Sequence, residues 1–146
     1  MQLTIKDSMG KITTTLAVTN RLDQGLAERG FIAPDEVRSI ALENVLVDTG
    51  ATTLCLPQNV IAQLGLKLLK EVPVETATGI GQARIFEDAK ISLLGREGTF
   101  ECLELPGGSS PLLGVIPLEA LGIELDLQNQ RLILLPLSPT ASYLRI

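Results

Sequence analysis

The chain has 146 residues, 45% of them hydrophobic but only 3% aromatic, with no Trp, no His and a formal net charge of −5. That length fits one domain, residues 1–146, which at this size hides roughly 70% of the surface of its unfolded chain, so an aliphatic core of Leu, Ile, Val and Ala is possible without staples. Lack of His excludes Ser/His and Cys/His nucleophilic pairs and His-ligated zinc, the lack of a Lys/Arg cluster argues against a nucleic-acid partner, and apolar runs far below the roughly 20 residues of a bilayer span argue against the membrane.

Residues 1–11 mix Lys6, Asp7 and Lys11 with apolar residues and show no secretory h-region, so the cytoplasm is the expected compartment. Ile12, Thr14, Leu16 and Val18 then alternate with Lys11, Thr13, Thr15 and Ala17, the pattern of a half-buried, β-branched strand. Asn20 or Asp23 can cap a short helix with Leu22 and Leu26 on one face and Gly30 at its end; an ordered loop fits the same residues. After a turn at residues 34–36, Ile40, Leu42, Val45 and Val47 predict a strand with a phase slip near Asn44, running straight into Asp48. Pro57 suits the first position of a helix bearing Val60, Ile61 and Leu64, and Gly65 suits its end.

Val72 and Val74, a turn at Gly79, Ile80, Gly81 and Gln82, and then Ile85, Ala89, Ile91 and Leu93 predict a hairpin. Phe100, Cys102 and Leu105 predict a further strand, and residues 106–111, with two Gly and two Ser, a loop. Pro117, Leu118 and Leu121 predict a short helix closed by Gly122. Ile123, Leu125 and Leu127, with Leu132 and Leu134, predict a closing hairpin across residues 128–130. Short strands punctuated by turns, with brief helices, point to an all-β sandwich or barrel.

No phosphate-loop or dinucleotide fingerprint occurs. Cys55 and Cys102 lack CxxC spacing and lie in apolar stretches; they read as reduced core thiols, a disulfide or redox pair being the other reading. Chemistry therefore falls to carboxylates. Asp48 ends an apolar strand, where an unsatisfied charge is costly, and is followed by Thr49, Gly50, Ala51 and Thr52. Gly50 lets backbone amides approach the carboxylate, and the hydroxyls of Thr49 and Thr52 can hydrogen-bond around it. A turn-forming Asx motif explains the same string without chemistry.

The wider pattern resembles the retropepsin-like family of aspartic peptidases, bacterial or cellular type. Apolar residues lead into the Asp48, Thr49, Gly50, Ala51, Thr52 loop, Leu54, Cys55, Leu56 and Pro57 follow, and about sixty positions later come Leu112, Leu113, Gly114 and a short helix. In that family the apolar, apolar, Gly element threads beneath the catalytic loop. Gly79, Ile80, Gly81 and Gln82 fall where such proteins place a mobile flap over substrate, although an ordinary hairpin turn accounts for them equally. The similarity spans about residues 40–136; the segment 20–35 has no viral counterpart.

The resemblance implies a closed acid-protease barrel with one lobe per chain. It implies an endopeptidase acting on an extended polypeptide, without metal or other cofactor. Two carboxylates are needed and the chain has one such loop, so a homodimer would supply Asp48 twice, with the terminal strands, residues 131–136 above all, in the interface. One Asp48 would act as general base on a water and the other as acid. Thr49 would brace the two loops, Gly50 would donate its amide to the carboxylates, and Thr52 would bond an outer carboxylate oxygen. The alternative function is a non-catalytic dimeric peptide-binding module on the same fold; a glycosidase-type pairing of Asp48 with a Glu of the same chain is a further rival.

Overall fold

In β1 (Ile12–Asn20), Ile12, Leu16 and Val18 are buried while Thr13 and Thr15 are exposed, as the alternation requires. The structure, a computed structural model, describes residues 11–136; the reading of the first ten residues lies outside them. The segment after β1 is a helix, α1 (Arg21–Glu28), and Asn20 rather than Asp23 caps it, accepting the Asp23 amide at 3.0 Å. Asp23 instead is buried and receives the backbone N–H, Nε and Nη2 of Arg38 at 3.1, 2.8 and 3.0 Å. The Asn20 amide also donates to Leu64 O at 2.9 Å, which ties the start of α1 to a segment 44 residues away in the chain.

The hydrogen-bonded Arg38 guanidinium holds the Asp23 carboxyl below its usual value of 3.8. A lowered native value means that the clamp contributes fully above the unfolded value and is lost as pH falls below it, through the folded value. Arg38→Ala is expected to lower stability at neutral pH by about 1–3 kcal/mol, because it leaves a buried carboxylate short of donors, and to weaken the acid dependence. Denaturant titrations at pH 7 and pH 3 check this; identical midpoints for wild type and variant at pH 7 would refute it.

A short 3-10 turn (Pro34–Glu36) leads into β2 (Ser39–Val47), antiparallel to β1. The expected phase slip is a bulge: Thr14 faces Val45 but Leu16 faces Leu42, and Asn44 sits at φ 59°. Two residues thus oppose one, which turns both halves of the strand inward. β3 (Leu54–Pro57) is wholly buried, and Pro57 forms the N-cap of α2 (Gln58–Leu64) rather than its first residue, so the helix starts one position later than expected. Gly65 ends α2 at φ 64°, a left-handed conformation that favours glycine, and a Cβ there would lie 1.9 Å from the Arg38 guanidinium and displace it.

β4 (Lys67–Thr76), β5 (Gly79–Leu93) and β6 (Arg96–Leu105) form an antiparallel meander. β7 (Leu112–Leu113), α3 (Val115–Leu121), β8 (Ile123–Asp126) and β9 (Arg131–Leu134) follow. The seven-stranded sheet runs β1-β2-β7-β3-β6-β5-β4, and β5 pairs again with β1, Ala17 facing Ser92 and Asn20 facing Ala89. That second pairing closes the ring into the expected barrel and leaves β4 outside it. Asp88, at φ 65° where the register against β6 shifts, bends β5 between its two sets of partners.

Leu16, Val18, Val45, Leu54, Leu56, Ile91, Leu93 and Leu113 fill the interior, each such side chain contributing roughly 1.5–3 kcal/mol by burial. The β8–β9 hairpin forms a separate two-stranded sheet. Its Asp126 accepts from the backbone and side chain of Asn129 at 3.2 and 2.8 Å and from Arg131 at 3.2 Å, contacts that lower its carboxyl and hold the turn rather than a reaction site.

Candidate active site

β7 is only two residues long, yet it lies between β2 and β3, parallel to one and antiparallel to the other. Leu112 and Leu113 therefore lie between the strand that enters the loop at 48–53 and the strand that leaves it. Leu46 N donates to Pro111 O at 3.1 Å and Asp48 N to Leu113 O at 3.0 Å, which fixes the backbone entering the loop. Ala51 N returns to Asp48 O at 3.1 Å, closing a turn, and Gly50 N donates to Asp48 Oδ1 at 2.8 Å. A Cβ on Gly50 would lie 3.1 Å from that oxygen, so glycine permits the approach.

The loop's outgoing half is held by α3. Val115 N donates to Ala51 O at 3.0 Å and Ile116 N to Thr52 O at 2.8 Å. Gly114 makes this contact possible: a Cβ there would meet Thr53 O at 2.4 Å, Ala51 O at 2.6 Å and Thr53 N at 2.7 Å. Its φ of −94° is open to any residue, so the requirement is close approach alone. Thr53 adds a bond from its hydroxyl to Glu101 O of β6 at 3.2 Å.

Asp48 is half-buried, while Thr49, Gly50 and Thr52 are exposed. Among the described residues, the Thr49 and Thr52 hydroxyls make no hydrogen bond, so the bond expected from Thr52 to Asp48 is not formed within the chain. Beside Thr49 opens an apolar groove of about 510 Å³, lined by Val115, Leu118, Ile123, Leu125 and Leu127 with Glu119 and Glu124 at its rim. The groove joins the loop to the closing hairpin, whose Leu127, Ile133 and Leu134 are exposed.

The hairpin expected to cover the site exists, but its tip is displaced. Thr76 pairs with Gly79, Val74 with Gly81 and Pro73 with Gln82, so the turn is Ala77 and Thr78, and Gly79, Ile80, Gly81 and Gln82 begin the returning strand. The Thr76 hydroxyl donates to Gly79 O at 2.8 Å and accepts Thr78 N at 3.3 Å, shaping the turn through a side chain. Glycine suits the fourth position of such a turn as well as its centre, which is why a glycine pair alone misplaces it. Ile80 is 79% exposed, an apolar side chain with no cover in the single chain.

Cys55 and Cys102 are free and buried. Burial, and secondarily the Asp48 charge, pushes the Cys55 thiol up to about 11; burial, then Cys55 and Glu104, pushes Cys102 to about 12. Protonated thiols of this kind are poor nucleophiles, and the core-thiol reading describes them. Among the described residues no cluster of His, Cys, Asp and Glu could hold a metal ion, and no helix is long and apolar enough to cross a membrane.

Residues 43–119 match the family described as "gag-polyprotein putative aspartyl protease". The match takes in the Asp48 loop, the β4–β5 hairpin, Leu112 to Gly114 and most of α3. No curated protein matches the chain. A solution structure of the Simian Foamy Virus (mac) protease is similar to 51% of this chain and 76% of its own, with 23% sequence identity and a TM-score of 0.41. The chain belongs to the retropepsin-like, gag-type family of aspartyl proteases and has that family's all-β acid-protease fold, one lobe to a chain.

Proposed function

We propose that the chain is an aspartic endopeptidase that acts as a homodimer, cutting extended polypeptides with a water held between Asp48 of one subunit and Asp48 of its partner. The observation that carries this reading is the Asp48 loop. Its carboxylate is held by Gly50 N at 2.8 Å, its backbone is pinned by Leu113 and α3, and its outer face of Thr49 and Gly50 is open. One such carboxylate can orient a water but cannot also protonate the scissile carbonyl oxygen. A second copy supplies the missing group without any further motif.

Two carboxylates within about 3 Å cannot both ionise cheaply, so the pair holds one proton. The ionised member takes a proton from the water as it attacks the carbonyl carbon; the protonated member hydrogen-bonds and then protonates the carbonyl oxygen. Collapse of the tetrahedral intermediate returns a proton to the leaving amine. The exposed Thr49 would brace the loops across the two-fold axis, and the apolar groove with the β8–β9 hairpin would supply the rest of the interface. Ile80 and its neighbours, together with the Ala77–Thr78 tip, would cover the substrate. The unpaired thiols suit a reducing compartment, which supports the cytoplasm as the site of action.

Specific activity against a peptide library is expected to fall steeply on dilution, following the dimer fraction measured by sedimentation equilibrium. Activity per chain that stays constant where only monomer exists would overturn the shared site. A stable dimer that cleaves nothing in the library would favour the peptide-binding alternative.

A further inference from the structure

The β8–β9 hairpin shares no ladder with the barrel among the described residues, and an isolated two-stranded hairpin is marginal in water. Its apolar inner face, Leu125 and Leu132, packs on the core, but apolar packing is non-directional and does not set an orientation. One side chain of the barrel adds directional contacts. Arg96, at the start of β6, donates through Nη1 to Leu121 O at 2.9 Å and to Gly122 O at 2.8 Å, and through Nη2 to Leu135 O. Leu135 N in turn donates to Gly122 O at 2.9 Å.

Leu121 O and Gly122 O belong to the end of α3, whose last carbonyls lack helical partners, and Leu135 lies just beyond β9. The planar guanidinium thus fastens three segments at once: the barrel, the C-terminal end of α3 and the exit of the hairpin. A point-charge ammonium could not reproduce that fork. The other end of α3 holds Ala51 and Thr52 of the active-site loop. Arg96 is therefore placed to set how the hairpin and the Thr49 groove are presented together.

We propose that Arg96 is a positioning residue for dimer assembly, orienting the β8–β9 hairpin so that its exposed Leu127, Ile133 and Leu134 meet a second copy in register with the Asp48 loops. This rests on the homodimer reading above. It concerns no catalytic group: Arg96 acts only through the hairpin and α3.

The test measures dimer dissociation by sedimentation in an Asp48→Asn background, so that assembly is read without turnover, for wild-type Arg96, Arg96→Lys and Arg96→Met. Loss of two or more charge-assisted hydrogen bonds is expected to raise the dissociation constant about 10- to 100-fold, Arg96→Met at least as much as Arg96→Lys. Hydrogen exchange should quicken at residues 123–135 while β1 to β3 stay protected. In the active background, lost activity should return at high protein concentration, with kcat per dimer within about twofold of wild type; a merely structural residue would depress kcat at every concentration. If Arg96→Met fails to fold, Arg96→Lys carries the same comparison. A dimer whose dissociation neither substitution moves overturns this inference alone, as does a loss of kcat that concentration does not restore. A wild-type chain that stays monomeric overturns the homodimer reading and this inference with it.

Discussion

Asp48→Asn is expected to reduce peptide cleavage by at least about a thousandfold, the scale of losing a general base and its partner acid together, while the chain stays folded and dimeric. The amide keeps the side-chain volume, and its oxygen can still accept the Gly50 amide that Asp48 Oδ1 accepts at 2.8 Å. What it loses is the capacity to take a proton from water. In the proposed homodimer both subunits would carry the change, so no intact carboxylate would remain in the shared site. If the proposed carboxylate pair carries the chemistry, wild-type activity should pass through an optimum with pH, because such a pair would work with one shared proton and fail with none or two, whereas the variant should stay inactive throughout. Dimer affinity in the variant should equal or exceed that of wild type at high pH, where like-charge repulsion is removed. Library profiling at several pH values, with circular dichroism and sedimentation as controls, is the measurement. Cleavage by the folded variant at the wild-type rate would show that Asp48 is not the catalytic group.

Gly114→Ala is expected to be nearly as damaging, by a different route. The added methyl carbon would lie 2.4 to 2.7 Å from three backbone atoms, Thr53 O, Ala51 O and Thr53 N. None of these can swing aside as a side chain could. Either α3 withdraws, giving up the bonds from Val115 N to Ala51 O and Ile116 N to Thr52 O, or the loop shifts and carries Asp48 with it. The stability cost should be about 2–4 kcal/mol, around the upper end for overpacking, and a displacement near 1 Å at the carboxylate should lower kcat by about 100-fold. Gly107→Ala is the control: its nearest neighbour would be Asn59 Oδ1 at 3.9 Å, so both melting temperature and turnover should stay near wild type. A Gly114→Ala protein with unchanged melting temperature and kcat would mean that the contact beneath the loop is not needed.

Features written into short stretches of chain are legible from the order of residues alone. Alternation over residues 11–18 specifies β1 and its buried face, because side chains on a strand point to opposite sides. The slip near Asn44 is visible as a break in that alternation and is a bulge at a positive-φ residue. Gly65 and Gly122 mark helix ends because a left-handed cap favours glycine. The Asp48 to Thr52 loop, with Leu112 to Gly114 about sixty positions on, is legible as a unit through its resemblance to the retropepsin-like pattern, since the five loop residues taken alone fit an ordinary Asx turn equally.

Other features depend on contacts between distant residues. Residues 20–30 are equally consistent with a helix or a loop as sequence; α1 is held by Asn20 reaching Leu64 and by Asp23 gripping Arg38. The turn of the β4–β5 hairpin goes to Ala77 and Thr78 because the pairing register and the Thr76 hydroxyl, not the glycines, select it. β5 closes the barrel by bending at Asp88 to reach β1, and Arg96 spans from β6 to Leu135, neither of which leaves a periodic trace. Periodicity records which side of an element is buried and where the backbone must turn, and so it is enough to specify most elements and the all-β class, while the closed barrel and the candidate loop at Asp48 are legible through the resemblance to retropepsin-like proteases. Partner strand, register and long-range clamp are selected by packing and hydrogen bonding between residues far apart in the chain, and those choices emerge only in the folded molecule.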